Sequence, residues 1–142
     1  PDCSTAKRYI AVGLGDSKKY TSDYLRQAAA TAAKKILDLK LTTFSIEFMG
    51  ETHLSSGDAQ ALAEGLVLGS YRFLNYKKSS DDYPGIGTGL VISDSAISAA
   101  LNYGMQISAG VVLARDLGNH PSNIATQAIW QTQLKRLQNL AA

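Results

Sequence analysis

Three long segments with helical spacing, each preceded by a short apolar run, leave this chain few folds to adopt. The first run, Tyr9 to Val12, is β-branched and apolar and ends in Gly13-Leu14-Gly15, which predicts a buried strand and a tight turn. From Thr21 or Ser22, a good N-cap, to Leu39, residues Leu25, Ala28, Ala29, Ala32, Ile36 and Leu39 fall on one helical stripe. Thr42 to Met49 alternates, with Phe44, Ile46 and Phe48 opposite Ser45 and Glu47, and predicts a strand near a sheet edge with one covered face. Ser55 or Ser56 opens a second helix in which Ala59, Leu62, Ala63, Leu66, Ser70 and Phe73 keep the 3.6 period. Gly65 and Gly69 lie inside it. An interior helical glycine costs up to about 1 kcal/mol against alanine, so both predict close packing against a neighbouring element. Gly89 to Ile92 reads as a short buried strand, and Ser95 as the cap of a third helix running to about Leu117. There Ile97, Leu101, Gly104, Ile107, Val111 and Ala114 share a face, Gly118 suits a left-handed C-terminal position, and Pro121 is the stop. Strands joined by helical crossovers pair in parallel through right-handed units, so the class is α/β.

Lys77 to Gly87, with Pro84 and two glycines, is the longest internal loop. Beyond Asn123, residues Trp130, Leu134, Leu137 and Ala141 are spaced for one more amphipathic helix with Lys135 and Arg136 outside. The organisation expected is an α/β domain over 1–123 and a helical tail over 124–142. An apolar content of 45% in 142 residues matches one core. A net charge of +2 without any block of like charges disfavours a nucleic-acid surface, and Lys18-Lys19, Lys34-Lys35 and Lys77-Lys78 read as solvated faces. No apolar run reaches the roughly 18 to 20 residues of a membrane span, no signal-peptide pattern is present, and Cys3 is the lone cysteine. The expected setting is soluble and cytoplasmic, with Cys3 an unengaged thiol.

Three segments carry a family resemblance. Ala114-Arg115-Asp116-Leu117-Gly118-Asn119-His120-Pro121-Ser122-Asn123 resembles the Ala-Arg-Asp-Leu-x-Asn-x-Pro-x-Asn stretch that leads into the catalytic domain of the leucyl aminopeptidase family. Glu64-Gly65-Leu66-Val67-Leu68-Gly69-Ser70-Tyr71-Arg72-Phe73 with Tyr76-Lys77 is similar to its Glu-Gly-x-x-Leu-Gly-x-Tyr-x-Phe-x-x-Tyr-Lys helix, and Ile10 to Gly15 to a strand ending in Gly-Leu-Gly. The matches run in family order over roughly residues 8 to 126. The resemblance implies the family's non-catalytic N-terminal domain: a macro-domain-like, three-layer βαβαβα core with a mainly parallel sheet, here lacking its first strands. It also implies a parent enzyme with two divalent metals, Zn or Mn, held by Asp, Glu and Lys with an assisting Arg. Those residues lie in segments of the type Asn-Thr-Asp-Ala-Glu-Gly-Arg and Lys-Gly-x-x-x-Asp-x-Gly-Gly, and neither occurs here. No catalytic, cofactor-binding or metal residue is therefore assigned, and the chain alone is expected to be no enzyme. A sheet with open edges needs covering, so the expected partner is a second copy or the remainder of an aminopeptidase; such parents assemble as hexamers.

The residues read independently point the same way. His53 and His120 lack metal-site spacing and read as unrelated surface histidines, and Asp81-Asp82 reads as a solvated turn. Ser70 lacks the Gly-x-Ser-x-Gly elbow. Gly13-Leu14-Gly15-Asp16-Ser17-Lys18 has Lys18 where a dinucleotide fingerprint needs its third glycine, so it reads as a strand exit with positive φ. Gly85 to Gly89 reads as a flexible approach to a strand. As phosphate cradles these two stretches would make the chain a nucleotide or ADP-ribose module, the first alternative; DNA interaction is the second. Arg115-Asp116 reads as a structural ion pair or a carbonyl cap at a helix end, and Tyr71, Arg72, Phe73 and Tyr76 as helix packing with an aromatic rim rather than a stacking or partner surface.

Overall fold

The computed structural model describes residues 6–49, 53–76, 83–93, 96–124, 126–127, 129–132 and 135. After a short 3₁₀ turn at Ser17–Lys19, the elements are α1 (Ser22–Asp38), β1 (Thr43–Ile46), α2 (Ser56–Ser70), β2 (Thr88–Val91) and α3 (Ser98–Asn119). β1 and β2 pair in parallel, Phe44 opposite Gly89 and Ile46 opposite Val91. The class is α/β with parallel pairing, as the sequence predicts. Tyr9 to Val12 stays outside the ladder, which among the described residues has two strands.

The core lies where Leu25 and Ala29 of α1 meet Leu62 of α2, with Ile46 and Val91 of the sheet and Leu101 of α3 packed against them. The predicted alternation of the first strand is present: Phe44, Ile46 and Phe48 are half-buried and Thr43, Ser45 and Glu47 exposed. β2 departs from its predicted burial, since Leu90 is 61% and Ile92 47% exposed. Alternate residues point to opposite faces, and the described helices cover the face of Val91 rather than that of Leu90.

α2 is the middle helix, flanked by α1 and α3, which explains its burial on more than one side from Ala59 through Gly65. Its glycines admit the neighbouring backbone. A Cβ on Gly65 would lie 2.2 Å from the Arg26 carbonyl oxygen and 2.7 Å from the Ala29 Cβ. On Gly69 it would lie 2.5 Å from the Ala30 Cα. On the other side Gly104 of α3 is held as closely, 2.6 Å from the Gln60 carbonyl oxygen. That contact rotates α3 from its predicted face: Ser108 is buried one turn beyond Gly104, while Ile107 and Ala114 are exposed. The Ser108 hydroxyl has no hydrogen-bond partner.

Polar contacts fix the register along the same seam. Glu64, 8% exposed, accepts from Arg26 Nε at 2.7 Å and from Gln60 Nε2 at 2.8 Å. At the helix starts, Ser55 and Asp58 form a capping box on α2. The Asp58 carboxylate also accepts from the Tyr20 and Ser22 hydroxyls at 2.9 and 2.8 Å, so one anion joins the N-termini of α1 and α2, where helix dipoles favour negative charge. Burial pushes both carboxyls up, but hydrogen bonds from Ser55, Ser22 and Tyr20 hold Asp58, and those from Gln60 and Arg26 hold Glu64, below their ordinary values of 3.8 and 4.5. Burial, reinforced by the Asp58 bond and charge, pushes the Tyr20 phenol up to about 12.

The helix ends are set by local chemistry. α1 closes through a Schellman motif in which Lys40, at φ 53°, donates to the Leu37 carbonyl and Leu41 to that of Ile36. α2 stops at Ser70, three residues short of the predicted Phe73, because Tyr71 turns extended. α3 starts at Ser98 after Ile97, which gives no side-chain cap; the predicted cap Ser95 lies outside the described residues. Gly118 is helical rather than left-handed, and the helix runs on to Asn119. The stop comes from His120, extended at ψ 137° as a residue before proline must be.

Replacing Gly65 with alanine is expected to destabilise by about 1–3 kcal/mol despite the gain in helix propensity. Gly110→Ala in the same fold, where a Cβ meets nothing within 4 Å, is expected to stabilise by about 0.5–1 kcal/mol; urea denaturation reads both signs. The lowered carboxyls contribute stability above their ordinary pKa values that is lost as the pH falls through the folded ones. The raised Tyr20 contributes below pH 10 and loses its contribution as the pH climbs toward about 12. Thermal melting against pH should therefore fall on both sides. Asp58→Asn is expected to lower neutral stability by about 1 kcal/mol, because the amide keeps one acceptor oxygen of two for Ser55, Ser22 and Tyr20 and the negative charge at both helix starts is lost. An acid limb of unchanged slope in Asp58→Asn/Glu64→Gln would count against this assignment.

Candidate functional site

Among the described residues, a grouping of chemically capable side chains lies where α3 ends. After α2 stops at Ser70, residues 71–76 pass beside the last turns of α3. The Tyr71 hydroxyl donates to Asp116 Oδ1 at 2.7 Å and accepts from Asn119 Nδ2 at 3.1 Å. The Arg115 guanidinium sits 5.5 Å from the centre of the Tyr71 ring, a cation–π arrangement. Burial, with the bond to Asp116, pushes the Tyr71 phenol above its usual value. One step further, Tyr76 Oη lies 2.5 Å from His120 Nδ1. Phe73, Tyr76 and His120 meet edge to face, with centroids 5.3 to 5.8 Å apart.

This arrangement binds protein to protein. Arg115 and Asp116 both meet Tyr71, in place of the ion pair or carbonyl cap expected of them. Tyr71, Phe73 and Tyr76 use their polar atoms or ring edges on α3, as helix packing requires. Sequence reading missed His120: set aside as a surface histidine, it is the centre of the aromatic group. The signal was its place between Asn119 and Pro121, where the helix must turn out.

The other singled-out residues are dispersed. Gly13 to Gly15 line a depression with Tyr24, Gln27 and Thr31 along α1, and Gly15 has the predicted positive φ, 85°. Gly85 and Ile86 line a different depression with Leu37, Ser70 and Arg72. The two glycine stretches thus build no common phosphate cradle. The second is no flexible approach either: the Gly87 and Thr88 amides both donate to the Thr42 carbonyl, at 2.8 and 3.1 Å, and Gly89 lies under the Phe44 ring. The Ser70 hydroxyl donates to the Val67 carbonyl. Lys18, Lys19, Lys34 and Lys35 are exposed. Cys3, Lys77-Lys78 and Asp81-Asp82 lie outside the described residues. Among the described residues no three His, Cys, Asp or Glu gather into a set that could hold a metal ion. None of the described helices is long and apolar enough to cross a membrane. The tail segment is helical at residues 127, 129–132 and 135.

The chain is 33% identical over 141 residues to a "Probable cytosol aminopeptidase" of Thermosynechococcus vestitus, covering 96% of this chain and 27% of that protein. It is 35% identical over 142 residues to "Leucine aminopeptidase A1, chloroplastic" of Solanum lycopersicum, covering 92% and 24%. The chain thus spans about a quarter of the length of the curated relatives it matches. Among solved structures, "Bottromycin maturation enzyme BotP" superposes with a TM-score of 0.74 at 27% identity, over 92% of this chain and 28% of that one. The same enzyme in complex with Mn gives a TM-score of 0.73. Residues 1–80 match the family described as "Cytosol aminopeptidase family, N-terminal domain", and the chain belongs to that family as its N-terminal domain.

Proposed function

We propose that this chain is a non-catalytic accessory domain that assembles and positions a leucyl aminopeptidase-type metallopeptidase. The parent would release N-terminal amino acids using two divalent metals, Zn or Mn, held outside this chain. The observation that carries the reading is the coverage: 96% of the chain falls on 27% of a relative named for that activity, and residues 1–80 of the chain match an N-terminal-domain family. The donor chemistry agrees with it. Two-metal hydrolysis needs carboxylates converging on ions about 3.5 to 4 Å apart, and the described donors do not fit such a pair. Asp116 and Asp58 are engaged by tyrosine and serine hydroxyls, and Glu64 by Arg26 and Gln60.

The division into a domain over 1–123 and a tail over 124–142 belongs to the same reading, with the tail running on from the end of α3. Assembly, with a second copy or with the rest of the parent, would cover Leu90 and Ile92. Relatives are named for the cytosol and, in tomato, for the chloroplast; the cytoplasm is the setting proposed here.

Purified chain supplied with Mn or Zn is expected to release no leucine from a leucyl amide substrate. Release abolished by a chelator would overturn the non-catalytic reading. Light scattering on the same sample tests assembly: a mass above the 15.1 kDa of one chain is expected, and a monomer would remove self-association.

A further inference from the structure

The two sets of contacts at the end of α3 lie one turn apart, on Asp116 and His120, with Arg115 and Asn119 beside them. Two anchors a turn apart fix a direction, where one would fix only a point. The anchors are aromatic side chains with few rotatable bonds, so holding them costs little conformational entropy. Beyond them the described residues have little slack. Pro121 has a locked φ, and the Ile124 amide donates to the Pro121 carbonyl at 2.9 Å. The Ile129 and Trp130 amides donate to the Thr126 carbonyl at 3.0 and 3.1 Å. No glycine occurs between Gly118 and the end of the sequence.

We propose that residues 71–76 act as a clasp on the last turn of α3 and set the direction in which the chain leaves the domain, so that Tyr71 and Tyr76 are positioning residues for whatever follows Pro121. The inference rests on the accessory-domain reading and names how such a domain would orient its neighbour. α2 ends at Ser70, before its predicted end, because Tyr71 is extended and engaged with α3. The residues that bracket the clasp, Tyr71 and His120, are both extended caps, of α2 and α3 respectively. Each helix is thus terminated beside the contacts that tie it to the other.

Trp130 is the single tryptophan of the chain and lies in the segment whose direction is in question, 42% exposed. Its time-resolved fluorescence anisotropy in the full chain is therefore a direct readout. Wild-type protein is expected to show mainly overall tumbling. Tyr71→Phe/Tyr76→Phe keeps the rings and removes the hydroxyl bonds to Asp116, Asn119 and His120. It should raise the amplitude of nanosecond local motion about two-fold or more. Ser55→Ala weakens the cap of α2 and leaves the clasp intact, so it should lower the melting temperature without moving that amplitude. Equal amplitudes in the double variant and the wild type would overturn the proposal, as would an equal rise in Ser55→Ala. The result does not depend on the peptidase assay: an enzymatically silent chain with a free tail would sink the clasp and leave the accessory-domain reading standing.

Discussion

The approach of the α1 and α2 backbones at Gly65 is the constraint on which the rest of the structure depends. A Cβ there would sit 2.2 Å from a carbonyl oxygen of α1, inside any allowed contact, so the spacing of the two helices exists only because that position is glycine. Gly69, one turn on, repeats the requirement against Ala30. A glycine seam brings backbones together but offers few side-chain contacts to resist sliding. The register comes from the polar pair beside it, Arg26 with the largely buried Glu64, and from Asp58, which ties both helix starts. Partly buried charges stabilise little by themselves when desolvation is counted. Their value here is geometric, because a slip of one residue between the helices would leave Glu64 buried without Arg26.

The same seam explains what was legible in the sequence. Gly65 and Gly69 were readable as contact points, since interior helical glycine is costly unless it permits an approach. The helical stripe of α1 and the alternation of β1 were readable too, because each has one covered face. β2 and α3 were harder. Gly89 to Ile92 is apolar in every position and does not tell which face is covered, so Leu90 and Ile92 passed as buried residues. In α3 the apolar residues exceed those that the packing needs, and hydrophobic period alone favoured Ile107. Gly104 decides the rotation through its contact with Gln60, a tertiary relation that periodicity does not carry. Gly118 shows the opposite error, a residue apt for a C-cap overruled by the restriction that Pro121 places on His120.

The contacts at the end of α3 illustrate why site chemistry was legible only in part. Each residue, Tyr71, Tyr76, Asp116 or His120, has many uses, and 44 or 45 positions separate the hydrogen-bonded pairs. Only the fold shows that these groups satisfy one another. A tyrosine bonded to a carboxylate with an arginine over its ring has the components of an active site. Here the phenol is raised rather than lowered and its partners are fixed, which suits a joint better than a base or nucleophile.

These observations order the elements by dependence. Two four-residue strands cannot hold a sheet in water on their own, and one face of this pair leaves Leu90 and Ile92 to solvent. The pair therefore relies on the helical layer, through Ile46 and Val91 on Leu25, Ala29 and Leu62. That layer relies on the glycine seam, and α3 on its own glycine contact with α2. A disturbance at Gly65 should thus be felt in the sheet before the clasp, because the sheet rests on the α1–α2 core while the clasp joins the exit of α2 to α3. The strands are the dependent element of this domain and the helices its framework, the reverse of what the parallel α/β label leads one to expect.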